Sequence, residues 1–243
     1  MYTTRFTGDK AYLVTYKNTD PLFVIDLSDE KNPKTLGELH IPGYSSYLHP
    51  YDDTHLIGIG METEEKIERD SLGRVTSTRV IVKGMKMSLF DVADVNNPKQ
   101  IANIVIGDSM TISSVLTNPK ALLFSKEKNL IAVPVNNYSE EAAAPASDEY
   151  DDQMEFFRNY DKKRKSEGYF VYNIDLTSGF TLKGKITHEM KENNYKYYYS
   201  YDSKLLRGLY IKDNLITLSE NEIKVNSLDT LEELSSLKLG EEK

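Results

Sequence analysis

Four stretches of the chain run through the same order of short apolar segments and polar turns. The first reads RFTGD-KAYLVTY, then DPLFVIDLSDEKNP, then KTLGELHIPG. The second is LHPYDD-THLIGIG, KMSLFDVADVNNP and KQIANIVIGD. The third is LLFSKEK-NLIAVPV, GYFVYNIDLTSG and TLKGKITHE, and the fourth GLYIKD-NLITLSE, NEIKVNSLDTLEE and LSSLKLG. Each unit is a strand, a charged turn, a strand, a turn, a third strand ending near Asp or Asn, and a last strand. A chain that repeats such a unit is confined to architectures in which each unit buries its faces against its neighbours. The first turns, at Asp9, Asp53, Lys128 and Asp213, lie 44, 75 and 85 residues apart. The first spacing matches a propeller blade of about 40–50 residues. The longer ones match once inserts at about 61–85, 139–168 and 189–204 are removed.

The segments AYLVTY (11–16), LFVIDL (22–27), HLIGIG (55–60), SLFDV (88–92), NLIAVPV (129–135), GYFVYNIDL (168–176) and NLITL (214–218) have strand length and strand composition. Elsewhere the period is two: Leu182, Gly184, Ile186 and His188 fall on one face, Thr181, Lys183, Lys185 and Thr187 on the other. Asn32-Pro33 and Asn97-Pro98 stop the third strand at matching places, because Pro has no N–H to give a ladder. The expected fold is an all-β beta-propeller segment of four four-stranded blades with loop or helical inserts. The blades are expected at about 1–43, 44–108, 115–189 and 205–240 of one segment spanning 1–243.

Composition narrows the chemistry. With 243 residues the chain buries about 70–75% of its unfolded surface and needs no staples. It has no Cys, which removes disulfides, thiolate metal sites and Cys nucleophiles. A net charge of −8 argues against nucleic acid as a partner, which calls for a basic face. No apolar run approaches the about 20 residues of a membrane span, and MYTTRFTGDK holds no apolar signal core.

Residues 20–60 and 197–233 carry a resemblance. Both stretches are similar to the C-terminal beta-propeller domain of uncharacterised secreted prokaryotic proteins, distantly like WD-type repeats. The resemblance runs over nearly the whole chain and weakens in the inserts. It implies a propeller fold and a longer parent that is exported or attached to the cell surface. It implies no reaction and no catalytic residues.

The candidate chemistry is sparse. The four histidines, His40, His49, His55 and His188, form no pair at metal-ligand spacing. His49, in Leu48-His49-Pro50-Tyr51-Asp52-Asp53, stands out. It either faces a central channel beside Tyr51 and Asp52 or fixes the turn before the second strand. No G-x-S-x-G elbow and no phosphate-cradling Gly motif occurs. Asp148-Glu149-Tyr150-Asp151-Asp152 offers hard oxygen ligands without EF-hand spacing and reads as a solvated face. In the insert 139–168, Met154, Phe157 and Tyr160 or Asp161 have helical spacing, for a lid or for a loop helix on its own blade. Tyr197, Tyr198 and Tyr199 sit in a dense aromatic stretch that either stacks on a ligand or covers a blade edge.

The expected function is a non-enzymatic binding or scaffold module, with a protein or small-molecule ligand and neither metal nor cofactor. His49, Tyr51, Asp52, Tyr197, Tyr198 and Tyr199 are its candidate binding residues. The alternative is a hydrolase or lactonase-like enzyme with a site at the channel. Two copies are expected to complete a larger ring as a homodimer, with a closed four-blade monomer as the alternative.

Overall fold

A computed structural model of the chain describes residues 3–15, 20–109, 111–138, 166–188 and 205–239. The strands follow in chain order: β1 (Thr3–Thr7), β2 (Lys10–Val14), β3 (Asp20–Asp26), β4 (Lys34–Ile41), β5 (Tyr44–Pro50), β6 (His55–Arg69), β7 (Val75–Asp91) and β8 (Lys99–Ile106). They continue with β9 (Leu123–Ser125), β10 (Leu130–Tyr138), β11 (Ser166–Asp175), β12 (Gly179–Thr187), β13 (Leu205–Ile211), β14 (Asn214–Ser219), β15 (Glu222–Ser227) and β16 (Glu233–Lys238). They form four sheets of four strands, and in every sheet hydrogen-bonded neighbours are consecutive in the chain and antiparallel. This is the beta-propeller architecture expected from the repeat. Among the described residues no helix is long and apolar enough to cross a membrane.

One backbone bond recurs in all four sheets. The N–H of Leu27 donates to the Asp9 carbonyl at 2.7 Å, and that of Val92 to Thr54 at 2.9 Å. Ile174 donates to Asn129 at 2.9 Å, and Leu228 to Asp213 at 2.8 Å. Each clasp ties the end of the third strand to the turn between the first two. Behind the clasp, the first two sheets share a second device, the sequence D-x-x-D-x-x-N-P. Asp26 and Asp91 accept from the N–H two residues on, of Ser28 and Ala93, both at 2.9 Å. Asp29 and Asp94 do the same for Lys31 at 3.0 Å and Asn96 at 3.1 Å. Their carbonyls then take the N–H of Asn32 and Asn97, each at 3.0 Å. Short carboxylates that bond their own backbone two residues on make compact turns, and the following Pro releases the chain into the fourth strand.

The chain divides into two compact units, Met1–Met110 with Leu176–Phe180 and Thr111–Asp175 with Thr181–Lys243. In the first, β1 and β2 both lie against β5. Alternation sends Tyr12, Val14, Leu22, Val24, Leu48, Leu56 and Phe90 into one apolar cluster. Each fully buried side chain of this kind contributes about 1.5–3 kcal/mol. In the second, β9, β10 and β11 lie against β13, around a cluster that includes Leu130, Tyr169, Val171, Ile186, Leu205 and Leu215. Tyr169 is fully buried, and its hydroxyl donates to the Leu218 carbonyl at 3.0 Å. First strands therefore meet on the inside of each unit, while β16 is exposed along its length.

Residues 61–85, expected as a loop or helical insert, are mostly strand. β6 and β7 continue past the sheet as a paired hairpin, in register from Thr63 opposite Val82 to Glu68 opposite Ser77, with a shift before Arg69 opposite Val75. The pattern Thr63, Glu65, Ile67 against Glu64, Lys66, Glu68 is a period of two, which a largely exposed hairpin carries in polar residues as readily as in apolar ones. Asp70 closes its tip by accepting from Leu72 and Arg74, with Gly73 at φ +78°. At the root, buried Lys86 donates to the Pro42 carbonyl at 2.7 Å and pairs with Glu62 at 2.6 Å. Gly43 donates to Thr63 at 3.1 Å, so the arm is latched to the β4–β5 connection. The proposed helix and the acidic run at 148–152 lie outside the described residues.

Gly60, inside β6, marks a close approach of backbones. A Cβ there would collide with the Tyr44 carbonyl and lie 2.7 Å from Ser45 Cα. Gly60→Ala is expected to lower unfolding free energy by about 1–3 kcal/mol in urea titrations. An unchanged midpoint would contradict this packing of β5 on β6.

Candidate functional site

Two groups of polar side chains are held inside the sheets, one in each unit. The first is on β5. His49 pairs with Ile57 of β6, and alternation puts Leu48 in the core while Tyr47 and His49 share the opposite face. The Tyr47 hydroxyl and His49 Nδ1 are 2.9 Å apart, with ring centroids at 5.9 Å and planes at 52°. Arg5 reaches this region from β1, the strand that lies against β5. Burial, reinforced by the Arg5 charge, pushes His49 down to about 4, so its ring is neutral at neutral pH. Burial raises Tyr47, and Arg5 opposes that rise. Arg5 itself is half-buried, and its Nε is closed off from solvent without a hydrogen-bond partner.

The other sequence candidates are placed differently. Asp52 belongs to the β5–β6 turn, where its Oδ1 accepts from the Thr54 N–H at 3.0 Å and the Thr54 hydroxyl at 3.2 Å. The same oxygen is 2.9 Å from His55 Nδ1. Tyr51 is buried with its ring edge-on to His55, centroids 6.3 Å apart, and its N–H donates to the His55 carbonyl. These contacts group His49 with Tyr47 and Asp52 with His55. Tyr197, Tyr198 and Tyr199 lie outside the described residues. His40 is an exposed partner of Glu38 at 3.4 Å on β4, a surface pair of little energetic weight.

The second group is centred on His188, just past β12. Its Nε2 is 2.8 Å from the Thr217 hydroxyl and its Nδ1 3.1 Å from the Ser219 hydroxyl, both from β14. Glu222 Oε2 is 3.6 Å from Nδ1, and Lys224 stands 4.0 Å from Glu222 and 2.9 Å from Glu233. Ser, His and a carboxylate are the ingredients of a nucleophilic triad. A triad, however, places hydroxyl and carboxylate on opposite ring nitrogens. In this cluster Ser219 and Glu222 both approach Nδ1; the hydroxyl on the opposite nitrogen is that of Thr217, which is fully buried, and the imidazole is enclosed at 0% side-chain exposure, so neither hydroxyl faces a substrate. Ser219 is also committed to a turn: its oxygen accepts the Glu222 N–H at 3.0 Å and donates to the Glu222 carbonyl at 3.2 Å. Burial first, then the Lys224 charge, pushes His188 down to about 4. Among the described residues no group of three or more His, Asp or Glu is placed to hold a metal ion.

The two neutral histidines give stability a pH dependence. In the unfolded chain each titrates near 6.5; in the fold each is held near 4. Between those values the unfolded state binds protons that the native state does not, so their contribution is complete above pH 6.5 and is lost as pH falls toward 4. The melting temperature is expected to fall across this window, and His188→Phe to make the fall shallower while lowering the pH 7 midpoint. An identical slope in the variant would contradict a neutral, enclosed His188.

Relatives of the chain share its sequence over part of their length. An uncharacterised protein of Methanocaldococcus jannaschii is 40% identical over 139 residues, which is 57% of this chain and 19% of that protein. An uncharacterised protein of Archaeoglobus fulgidus is 37% identical over 134 residues, 55% of this chain and 18% of that protein. The matches thus span about a fifth of either relative's length. Among solved structures, a europium-containing methanol dehydrogenase is similar at 10% identity and a TM-score of 0.37, covering 97% of this chain and 50% of that one. Likeness at that level carries nothing about activity. A family model described as a beta propeller domain matches residues 1–231, and together with four consecutive antiparallel four-stranded sheets it places this chain in the beta propeller domain family.

Proposed function

We propose that the chain is a non-catalytic binding module of a longer polypeptide. The observation that carries this reading is the placement of the two histidines, His188 enclosed and His49 half-buried beside Tyr47. His188 has a hydroxyl on each ring nitrogen and no exposed side-chain surface, so it cannot meet a substrate. His49 is held neutral against Tyr47. A general base needs its nitrogen within reach of a reacting proton. What β5 offers instead is a half-buried polar face, the Tyr47 hydroxyl beside the His49 ring, with the Arg5 charge near it. That the match spans only 19% and 18% of the two relatives' own length supports a module within a larger protein. The resemblance to secreted prokaryotic proteins supports an exported or surface-attached parent.

The reading is tested by incubating the purified chain with p-nitrophenyl acetate, p-nitrophenyl phosphate and a simple lactone. No turnover above the buffer rate is expected. Saturable turnover lost on His49→Ala or on Ser219→Ala would overturn the reading in favour of a hydrolase.

A further inference from the structure

The four clasps give every sheet a common count. Counting onward from the clasp carbonyl of Asp9, Thr54, Asn129 or Asp213, the third and fifth residues lie on one face of the second strand, the second and fourth on the other. The three-five residues of the first three sheets are Tyr12 and Val14, Ile57 and Ile59, and Ala132 and Pro134, and all are buried. Their counterparts in the fourth sheet, Ile216 and Leu218, are only half-buried. Strand pairing extends that face in two rows: Leu209, Ile216 and Val225 stand opposite one another, and so do Leu218, Ile223 and Leu237. None of these side chains is buried, and Leu237 is 60% exposed. The two-four face shows the reverse. It is buried at Leu56 and Gly58, at Ile131 and Val133, and at Leu215 and Thr217, but in the first sheet Leu13 is half-buried. There Phe6, Ala11 and Ile25 form one row and Leu13 and Phe23 the next. Of these only Ala11 is buried, and Phe6 is 67% exposed.

Within both units a three-five face meets the two-four face of the next sheet: Tyr12 and Val14 share a cluster with Leu56, and Ala132 shares one with Leu215. One open face of each kind is left, the three-five face of the fourth sheet and the two-four face of the first. Contiguous exposed apolar surface marks an interaction site. What fits a three-five face in this protein is a two-four face, and the chain itself carries an open one. We propose that the fourth sheet of one copy docks face to face on the first sheet of a second copy of this chain. Sheets packed this way interdigitate their inner faces about 10 Å apart. A second copy brings the two faces in equal number, so one kind of interface covers both. The contact is head to tail, which gives a closed ring if the rotation closes and a string if it does not. The inference goes beyond the binding-module reading and does not depend on it.

The test is sedimentation equilibrium of the full chain from low to high micromolar concentration. The average mass is expected to rise with concentration to at least twice that of the monomer. Phe6→Lys and Ile216→Lys, one on each side of the interface, should each weaken association at least about tenfold. Mixed in equal amounts, the two variants should pair one to one and go no further. The Phe6→Lys chain keeps a sound fourth sheet and the Ile216→Lys chain a sound first sheet, so a single intact interface forms between them. Leu237→Lys takes the place of Ile216→Lys if that variant loses the β circular dichroism of the parent chain. A wild-type chain that stays monomeric would overturn the proposal. If that monomer binds anilinonaphthalene sulfonate, its open faces are left for a sheet of another polypeptide; if it does not, they are covered within one chain. A Phe6→Lys chain that associates like the wild type would overturn it too, since that marks a symmetric contact, as would a mixture of the variants that fails to pair. Each of these results leaves the non-catalytic reading standing, since that reading falls only to turnover in the substrate assay.

Discussion

The bond on which each sheet depends is the clasp between its third strand and its first turn. Leu27 to Asp9, Val92 to Thr54, Ile174 to Asn129 and Leu228 to Asp213 are the same hydrogen bond made four times. A meander of short strands has little to hold its ends, because each hairpin is marginal alone. The clasp closes a loop from the third strand back to the first, so the three inner strands order together. It also fixes where the apolar faces fall, since a slip of one residue would turn Val24 or Leu56 out of the core. The Asp-based turns behind it in the first two sheets then set where the fourth strand begins.

Once the sheets are set, burial decides the chemistry of the polar groups between them. An imidazole taken out of water loses its proton, and both His49 and His188 are pushed down to about 4, by burial first and then by the charges of Arg5 and Lys224. A neutral ring can donate at one nitrogen and accept at the other, and His188 uses both on Thr217 and Ser219. In the first unit the Arg5 charge adds to burial at His49 and opposes it at Tyr47.

The fold was legible in the sequence because its signals are local. Seven short apolar runs and the Asn-Pro stops mark strands and turns within a few residues of themselves. The long hairpin escaped because its strands are mostly exposed: Glu64, Glu65 and Lys66 need no apolar alternation to stay paired. The site was less legible for a different reason. Arg5 stands between Thr4 and Phe6 with no motif around it, and its charge reaches Tyr47 and His49 only because β1 lies against β5. His49 was visible as an unusual residue, but its contact across the strand is Tyr47, while its chain neighbours Tyr51 and Asp52 engage His55. His188 showed its strand face, yet its partners lie 29 and 31 residues further on. Adjacent strands can be read from a repeat; which side chains meet across them cannot.

The most direct test of this account is amide hydrogen exchange at the four clasp positions. The N–H groups of Leu27, Val92, Ile174 and Leu228 are expected to be as strongly protected as the central strands of their own sheets, although Leu27, Val92 and Leu228 lie just outside regular strand. Exchange of these amides at the rate of exposed turns, with the central strands still protected, would show that the sheets stand without the clasp and would contradict the account.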